Sequence, residues 1–202
     1  EYQTLISVGD SMYQSTDYGA TWTRFDDDSS DLYNSIQTFP TGGVSMSYNG
    51  QYQTIVSEAI YLSSDYGSTW TTTSVDPSNV SFDDHNWMDV DVSSTGEYQA
   101  AVEVTGEIYI SSDYGVNWSA RNDAHITDRQ WQGISMSSSG AFMTALAKGG
   151  NVFVSTDFGT TWVKSTDTQL ANKQWQDIEV SSNGVYQNAV VYGGSVYIST
   201  LL

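Results

Sequence analysis

Ser63-Ser-Asp-Tyr-Gly-Ser-Thr-Trp70 decides how this chain is read, because it occurs four times. Its sister stretches are Ser15-Thr-Asp-Tyr-Gly-Ala-Thr-Trp22, Ser111-Ser-Asp-Tyr-Gly-Val-Asn-Trp118 and Ser155-Thr-Asp-Phe-Gly-Thr-Thr-Trp162, and all four align without a gap. Their aspartates, Asp17, Asp65, Asp113 and Asp157, stand 48, 48 and 44 residues apart. A fixed period of this length marks a supersecondary unit that stacks on copies of itself, with room for four short strands.

The rest of the unit repeats around that stretch. Tyr-Gln pairs open an apolar run at Tyr2, Tyr52, Tyr98 and Tyr186, with Phe142-Met143 in the equivalent place. Ahead of these runs lie Gly43-Val-Ser-Met-Ser47, Met88-Asp-Val-Asp-Val-Ser93, Gly133-Ile-Ser-Met-Ser137 and Asp177-Ile-Glu-Val-Ser181. Three of the four follow a tryptophan (Trp87, Trp131, Trp175), and Thr41 stands in that place in the first. Each unit therefore reads as strands A (Ile-Ser-Met-Ser type), B (Tyr-Gln type), C (Ile-Tyr-x-Ser type) and D (after the repeated Trp). Gly50, Gly96, Gly140 and Gly184 mark the A–B turns, and Gly149-Gly150 and Gly193-Gly194 two of the B–C turns. Alternation in A and C predicts strands with one buried face, and no stretch carries a helical period.

The expected fold is all-β: a β-propeller of four-stranded antiparallel blades, about five in number. Along the chain the strands run B-C-D, then A-B-C-D three times, then A-B-C, so the first and last blades are incomplete. Residues 1–202 form a single domain in this reading, with repeats at approximately 1–40, 41–86, 87–130, 131–174 and 175–202. Tyr197-Ile-Ser-Thr200 begins a fifth copy of the turn, where Leu201-Leu202 replaces the Asp-aromatic-Gly.

Ser/Thr-x-Asp-x-Gly-x-x-Trp between the third and fourth strands resembles the Asp-box (BNR) repeat, known from sialidases, sortilin-type receptors, xyloglucanases and photosystem-assembly propellers. The resemblance covers nearly the whole chain and implies the propeller fold, but spans unrelated activities. The box residues have a structural explanation of their own. A short carboxylate (Asp17, Asp65, Asp113, Asp157) accepts backbone N–H groups and fixes a tight turn, joined by Ser15, Ser63, Ser111 and Ser155. Gly19, Gly67, Gly115 and Gly159 supply a backbone conformation that a Cβ resists. Trp22, Trp70, Trp118 and Trp162 bring apolar area to wedge between neighbouring blades. A catalytic pair is unique and convergent, so fourfold repetition argues against catalysis by these aspartates.

Charge narrows the partners. Six Lys and Arg oppose 24 Asp and Glu, for a net charge of −18. Such a surface repels nucleic acid and anionic membranes. No apolar run approaches the length of a membrane span, and without cysteine the redox compartment is not readable from disulfides. The chain opens with Glu1, which suggests a mature or trimmed product.

Candidate binding residues lie in the two longer D–A loops, Asp26, Asp27 and Asp28 in the first and Asp83, Asp84 and His85 in the second. The first trio offers the hard oxygen ligands that calcium takes, but lacks the alternating spacing of a calcium loop. Three adjacent residues such as Asp83 to His85 do not all face one ion, and His125 stands apart, so neither a metal nor a cofactor is expected. Asn79-Val-Ser81 and Asn117-Trp-Ser119 are glycosylation sequons. A sialidase is excluded, since the family's arginine triad and Arg-Ile-Pro motif find no match in Arg24, Arg121 and Arg129. The expectation is a non-enzymatic, extracellular or cell-surface interaction propeller. Its partners are other copies of itself, through the incomplete terminal blades, or an extracellular protein or glycan. The alternatives are a lectin using Tyr18, Tyr66, Tyr114 and Phe158, and a glycoside hydrolase needing two convergent carboxylates.

Overall fold

The computed structural model describes residues 1–7, 11–25, 32, 42–73, 85–121, 126–127, 129–170 and 172–200. These form five antiparallel sheets, each a meander of consecutive strands. Sheet 1 holds β1 (Gln3–Ile6), β2 (Met12–Ser15) and β3 (Thr23–Phe25). Sheet 2 holds β4 (Gly43–Met46), β5 (Gln53–Val56), β6 (Ile60–Ser63) and β7 (Thr71–Thr73). Sheet 3 holds β8 (Trp87–Val92), β9 (Gln99–Glu103), β10 (Ile108–Ser111) and β11 (Ser119–Arg121). Sheet 4 holds β12 (Trp131–Met136), β13 (Met143–Ala147), β14 (Asn151–Ser155) and β15 (Val163–Lys164). Sheet 5 holds β16 (Trp175–Val180), β17 (Tyr186–Val191) and β18 (Val196–Thr200). The expected order of three, four, four, four and three strands is the order found. A 3-10 turn at Thr168–Leu170 links sheets 4 and 5.

Each A strand from β8 onward begins at its tryptophan and carries a register shift just after it, between Trp87 and Asp89, Trp131 and Gly133, and Trp175 and Asp177. The extra residue re-aims the indole into the junction between sheets. Thr41, at the odd first position, lies outside the described residues.

Sheets pack face to face in sequence order through a recurring set of contacts. The A–B turns are tied by backbone hydrogen bonds from Tyr48 N to Ser94 O (2.9 Å), Ser94 N to Ser138 O (2.8 Å) and Ser138 N to Ser182 O (2.9 Å). The Thr4 and Thr54 hydroxyls donate to Gln53 and Gln99 Oε1 of the following sheet, both at 2.7 Å. The B-strand aromatic of one sheet stacks on the turn aromatic of the next, as Tyr2 on Tyr66, Tyr52 on Tyr114 and Tyr98 on Phe158. Glycine is required beneath these rings: at Gly96 (φ +85) a Cβ would lie 2.6 Å from the Tyr52 ring, and Gly50, Gly140 and Gly184 repeat the contact.

This packing corrects one expectation. Alternation in the A and C strands predicts a buried face, yet the C strand β10 is buried at every residue, as are the neighbouring B strands β9 and β13. Inner sheets are covered on both sides, so even the polar positions point into protein and must find partners there. Buried and exposed positions alternate in the B strand β17, which no further sheet covers among the described residues.

Candidate functional site

The four repeated turns share one hydrogen-bond pattern. In the first, Ser15 Oγ donates to Asp17 Oδ1 (2.8 Å) and accepts the Gly19 N–H (2.9 Å). Asp17 then accepts the Thr21 N–H on Oδ1 (2.8 Å) and the Thr21 hydroxyl on Oδ2 (2.6 Å), while the Trp22 indole donates to Gly19 O. Asp65, Asp113 and Asp157 repeat this with Thr69, Asn117 and Thr161. The Thr21 hydroxyl, then its N–H, then Ser15 hold Asp17 down to about 2. At the other three, partial burial works upward, but the same hydrogen bonds outweigh it and the carboxyls stay below their usual range. The residues after the aspartates, Tyr18, Tyr66, Tyr114 and Phe158, sit at φ +60 to +64, costly for a bulky side chain. At the last three, interblade stacking holds that conformation.

Of the loop candidates, Asp26, Asp27, Asp28, Asp83, Asp84, Asn79 and His125 lie outside the described residues. His85 is described. Its Nδ1 pairs with Glu103 Oε1, and its ring stacks on Trp87 and meets the edge of Tyr109. Glu103 Oε2 accepts the Glu107 N–H (3.1 Å), so the pair fastens the D–A loop to the B–C turn of sheet 3. Asn117 is exposed, and its side-chain amide donates to Asp113 Oδ2 at 2.7 Å.

Sequence reasoning passed over a carboxylate cluster on the innermost strands. Asp89 Oδ2 accepts the Ile134 N–H (2.9 Å) and its Oδ1 the Val90 N–H (2.9 Å). Asp91 Oδ2 accepts the Met136 N–H (2.7 Å), while its Oδ1 accepts the Ser45 hydroxyl (2.9 Å) and the Val92 N–H (2.8 Å). One carboxylate thus laces β4, β8 and β12 together. Burial pushes Asp89 up to about 7 against those hydrogen bonds, with Asp91 and Asp177 adding repulsion. Burial also raises Asp91, and raises Glu179 on β16 with help from Asp91 and Asp177. The signal was in the sequence: only two of the four A strands carry acids, at alternate positions that face one way.

The outer sheets leave complementary faces open. On sheet 5, Tyr186 (53 %), Val190, Val196 (63 %) and Ile198 (74 %) are exposed, at the positions that Tyr98, Val102, Ile108 and Ile110 use to pack on sheet 4. On sheet 1, Leu5 (53 %), Tyr18 (78 %) and Trp22 are exposed, at the positions that Ala145, Phe158 and Trp162 use to receive sheet 3.

No protein-family model and no curated protein sequence matches the chain. Solved structures do. The chain superposes on YCF48 bound to D1 peptide with TM-score 0.67 and 19 % identity, covering 98 % of this chain and 59 % of that one. It matches a chain of the nidogen/laminin complex with TM-score 0.67 and 14 % identity, covering 99 % and 71 %. With an ancestral GH74 enzyme the values are 0.65 and 15 %, covering 98 % and 31 %.

This chain has the β-propeller fold. Its sheets are blades, β4, β8, β12 and β16 are the inner strands nearest the propeller axis, and the acidic cluster lies along them. The five blades span 59 % and 31 % of the first two chains they match. Identity this low carries the fold and leaves the function to the site.

Proposed function

We infer that the chain is a non-enzymatic interaction module built on Asp-box blades, and that it joins further copies of itself through its two end faces. One observation carries this: Tyr186, Val190, Val196 and Ile198 on one end, and Leu5, Tyr18 and Trp22 on the other, are the two halves of an interblade junction, both exposed on the same molecule. A head-to-tail contact between copies seats Tyr186 of one on Tyr18 of the next, as Tyr98 seats on Phe158. Such a contact is heterologous, and where its rotation does not close it builds filaments. A place outside the cell or at its surface is read from the two sequons. Two of the structural neighbours were solved in complexes, YCF48 with a peptide and the other within the nidogen/laminin complex, which supports an interaction role.

The two alternatives fit the geometry less well. A lectin needs free aromatic faces, and Tyr66, Tyr114 and Phe158, though 38–41 % exposed, each turn a ring onto the preceding blade. A hydrolase needs a carboxylate with a free lone pair near a substrate. Asp89 and Asp91 spend theirs on the amides and hydroxyl that join three inner strands. The test is light scattering with negative-stain microscopy over a concentration series, for the chain and for Tyr186→Glu. Concentration-dependent oligomers that vanish in the variant support the reading. A monomer at every concentration sinks it.

A further inference from the structure

Every lysine of the chain, Lys148, Lys164 and Lys173, falls within residues 131–174, where the only acids are Asp157 and Asp167. In a chain of net charge −18, these lysines make no ion pair among the described residues. The fold draws them to one end of blade 4. Lys148 stands on the B–C turn, where Glu58 and Glu103 stand in blades 2 and 3. Backbone hydrogen bonds clamp that turn between two loops. Lys148 N donates to Gln130 O (2.7 Å), and Asn172 N, next to Lys173, donates to Gly149 O (3.0 Å). A Cβ on Gly150 would lie 2.6 Å from Lys173 N, so glycine lets the second loop lie directly on the turn. Lys164 ends the D strand at the same end of the blade, one register position from where β14 begins to pair with it at Phe153.

Neither acid neutralises the lysines. Asp157 belongs to the C–D turn at the other end of the strands, where it holds Thr161, and Asp167 Oδ1 accepts the Gln169 N–H at 2.9 Å. Lys148 and Lys164 are exposed, and Lys173 Nζ lies 5.2 Å over the Tyr197 ring. Beside them runs an open groove of about 470 Å³, walled by Gly150, Asn151, Lys164 and residues 165–168. No apolar side chain lines it.

We propose that this end of blade 4 binds an acidic polysaccharide, its sulfate or carboxylate groups on Lys148, Lys164 and Lys173 and its hydroxyls bonded to Asn151, Ser165 and Thr166 in the groove. Lysine is a mobile point charge that takes an anionic group from many directions, as a flexible sugar chain requires. A peptide would need pockets for its side chains, and the walls here are amide, hydroxyl and backbone. At about 150 mM salt the screening length is about 8 Å, so an anion on the lysines is largely shielded from the acids of the other blades. The site differs from the turn aromatics in place and in chemistry, and it holds whether or not copies associate.

The probes are a heparin hexasaccharide, a galacturonate hexamer and a glutamate hexamer, each fluorescein-labelled and titrated with the whole chain at physiological salt. By anisotropy at least one sugar is expected to bind saturably and more tightly than the glutamate hexamer, and the preferred sugar tells sulfate from carboxylate. Lys148→Gln combined with Lys164→Gln should weaken it at least about fivefold, the loss expected of two exposed ion pairs. Asn49→Asp combined with Asn183→Asp is the control. It makes the same change in net charge at the A–B turns, at the opposite end of the blades, and keeps the Oδ1 atoms that accept the Ser47 and Ser181 hydroxyls. That pair should leave the affinity within about twofold, because the added charges lie beyond the screening length. Hydrogen exchange on the unmodified chain gives the location without any variant: the sugar should slow the amides of residues 148–151 and 164–168 and leave those of 47–51 unchanged. Equal weakening by the two double variants, a glutamate hexamer bound as tightly as either sugar, protection elsewhere, or no saturation at millimolar sugar would each overturn the proposal.

Discussion

The acidic side chains divide into two populations that titrate in opposite senses, and stability against pH follows from them. Asp17 ionises more readily in the folded protein than at its ordinary value, because Thr21 and Ser15 donate to the charged form. Its contribution is present above about pH 4 and is lost as pH falls towards about 2. Asp89 is held up to about 7 by burial, so the folded state keeps its proton longer than the unfolded chain does. That contribution is full below about pH 4 and is lost as pH rises through about 7. Calorimetry at pH 5 and pH 8 should therefore give the higher Tm at pH 5. Asp89→Asn removes the titration but offers only one acceptor to two backbone donors, from Val90 and Ile134. It should start lower at pH 5 and lose distinctly less between pH 5 and pH 8. An unchanged slope would mean that Asp89 is ionised throughout. The four turn aspartates were legible as residues because a short acid beside Gly and Trp has an evident local use. Asp89 and Asp91 were not, because their partners lie 45 residues away in the next blade.

At the scale of strands and turns, the repeat made the order of elements readable. Eighteen strands in the expected order among the described residues is the result of aligning copies, each a check on the others. What the pattern misjudged was exposure. The C strands alternate in chemistry, with Tyr109 between Ile108 and Ile110, yet all three are buried because a blade lies on each side. The same geometry separates tryptophans of identical motif. Trp118 is 4 % exposed and packs on Val56 and Ile60 of the preceding blade, whereas no blade among the described residues covers Trp22, which is 37 % exposed. Trp118→Ala should cost about 3–5 kcal/mol, as for a large side chain removed from a core, which is on the order of 10 °C in Tm for a chain of this size. Trp22→Ala should stay within about 1 kcal/mol. Similar losses at the two sites in thermal melts would show that the tryptophan serves its own turn, through the indole bond to glycine, and not the junction.

For the whole molecule the opposing quantities are apolar end faces and a charge of −18. Copies that meet end to end must bring two strongly acidic bodies together, and that repulsion acts over the screening length. At about 10 mM salt the length is about 30 Å, and at about 150 mM it falls to about 8 Å. Tyr186, Val196 and Ile198 on one side and Leu5, Tyr18 and Trp22 on the other carry no charge, so salt leaves their attraction largely intact. Assembly through these faces should therefore strengthen with ionic strength, most steeply between about 10 and 150 mM, and level off above it. A contact made by paired charges would weaken over the same range. Sedimentation velocity at fixed protein concentration separates the two. A larger sedimenting species at 150 mM than at 10 mM, reduced to monomer by Tyr186→Glu at both, is the expected result. Oligomers that dissolve as salt rises would place the contact on the acidic surface and away from the open blades.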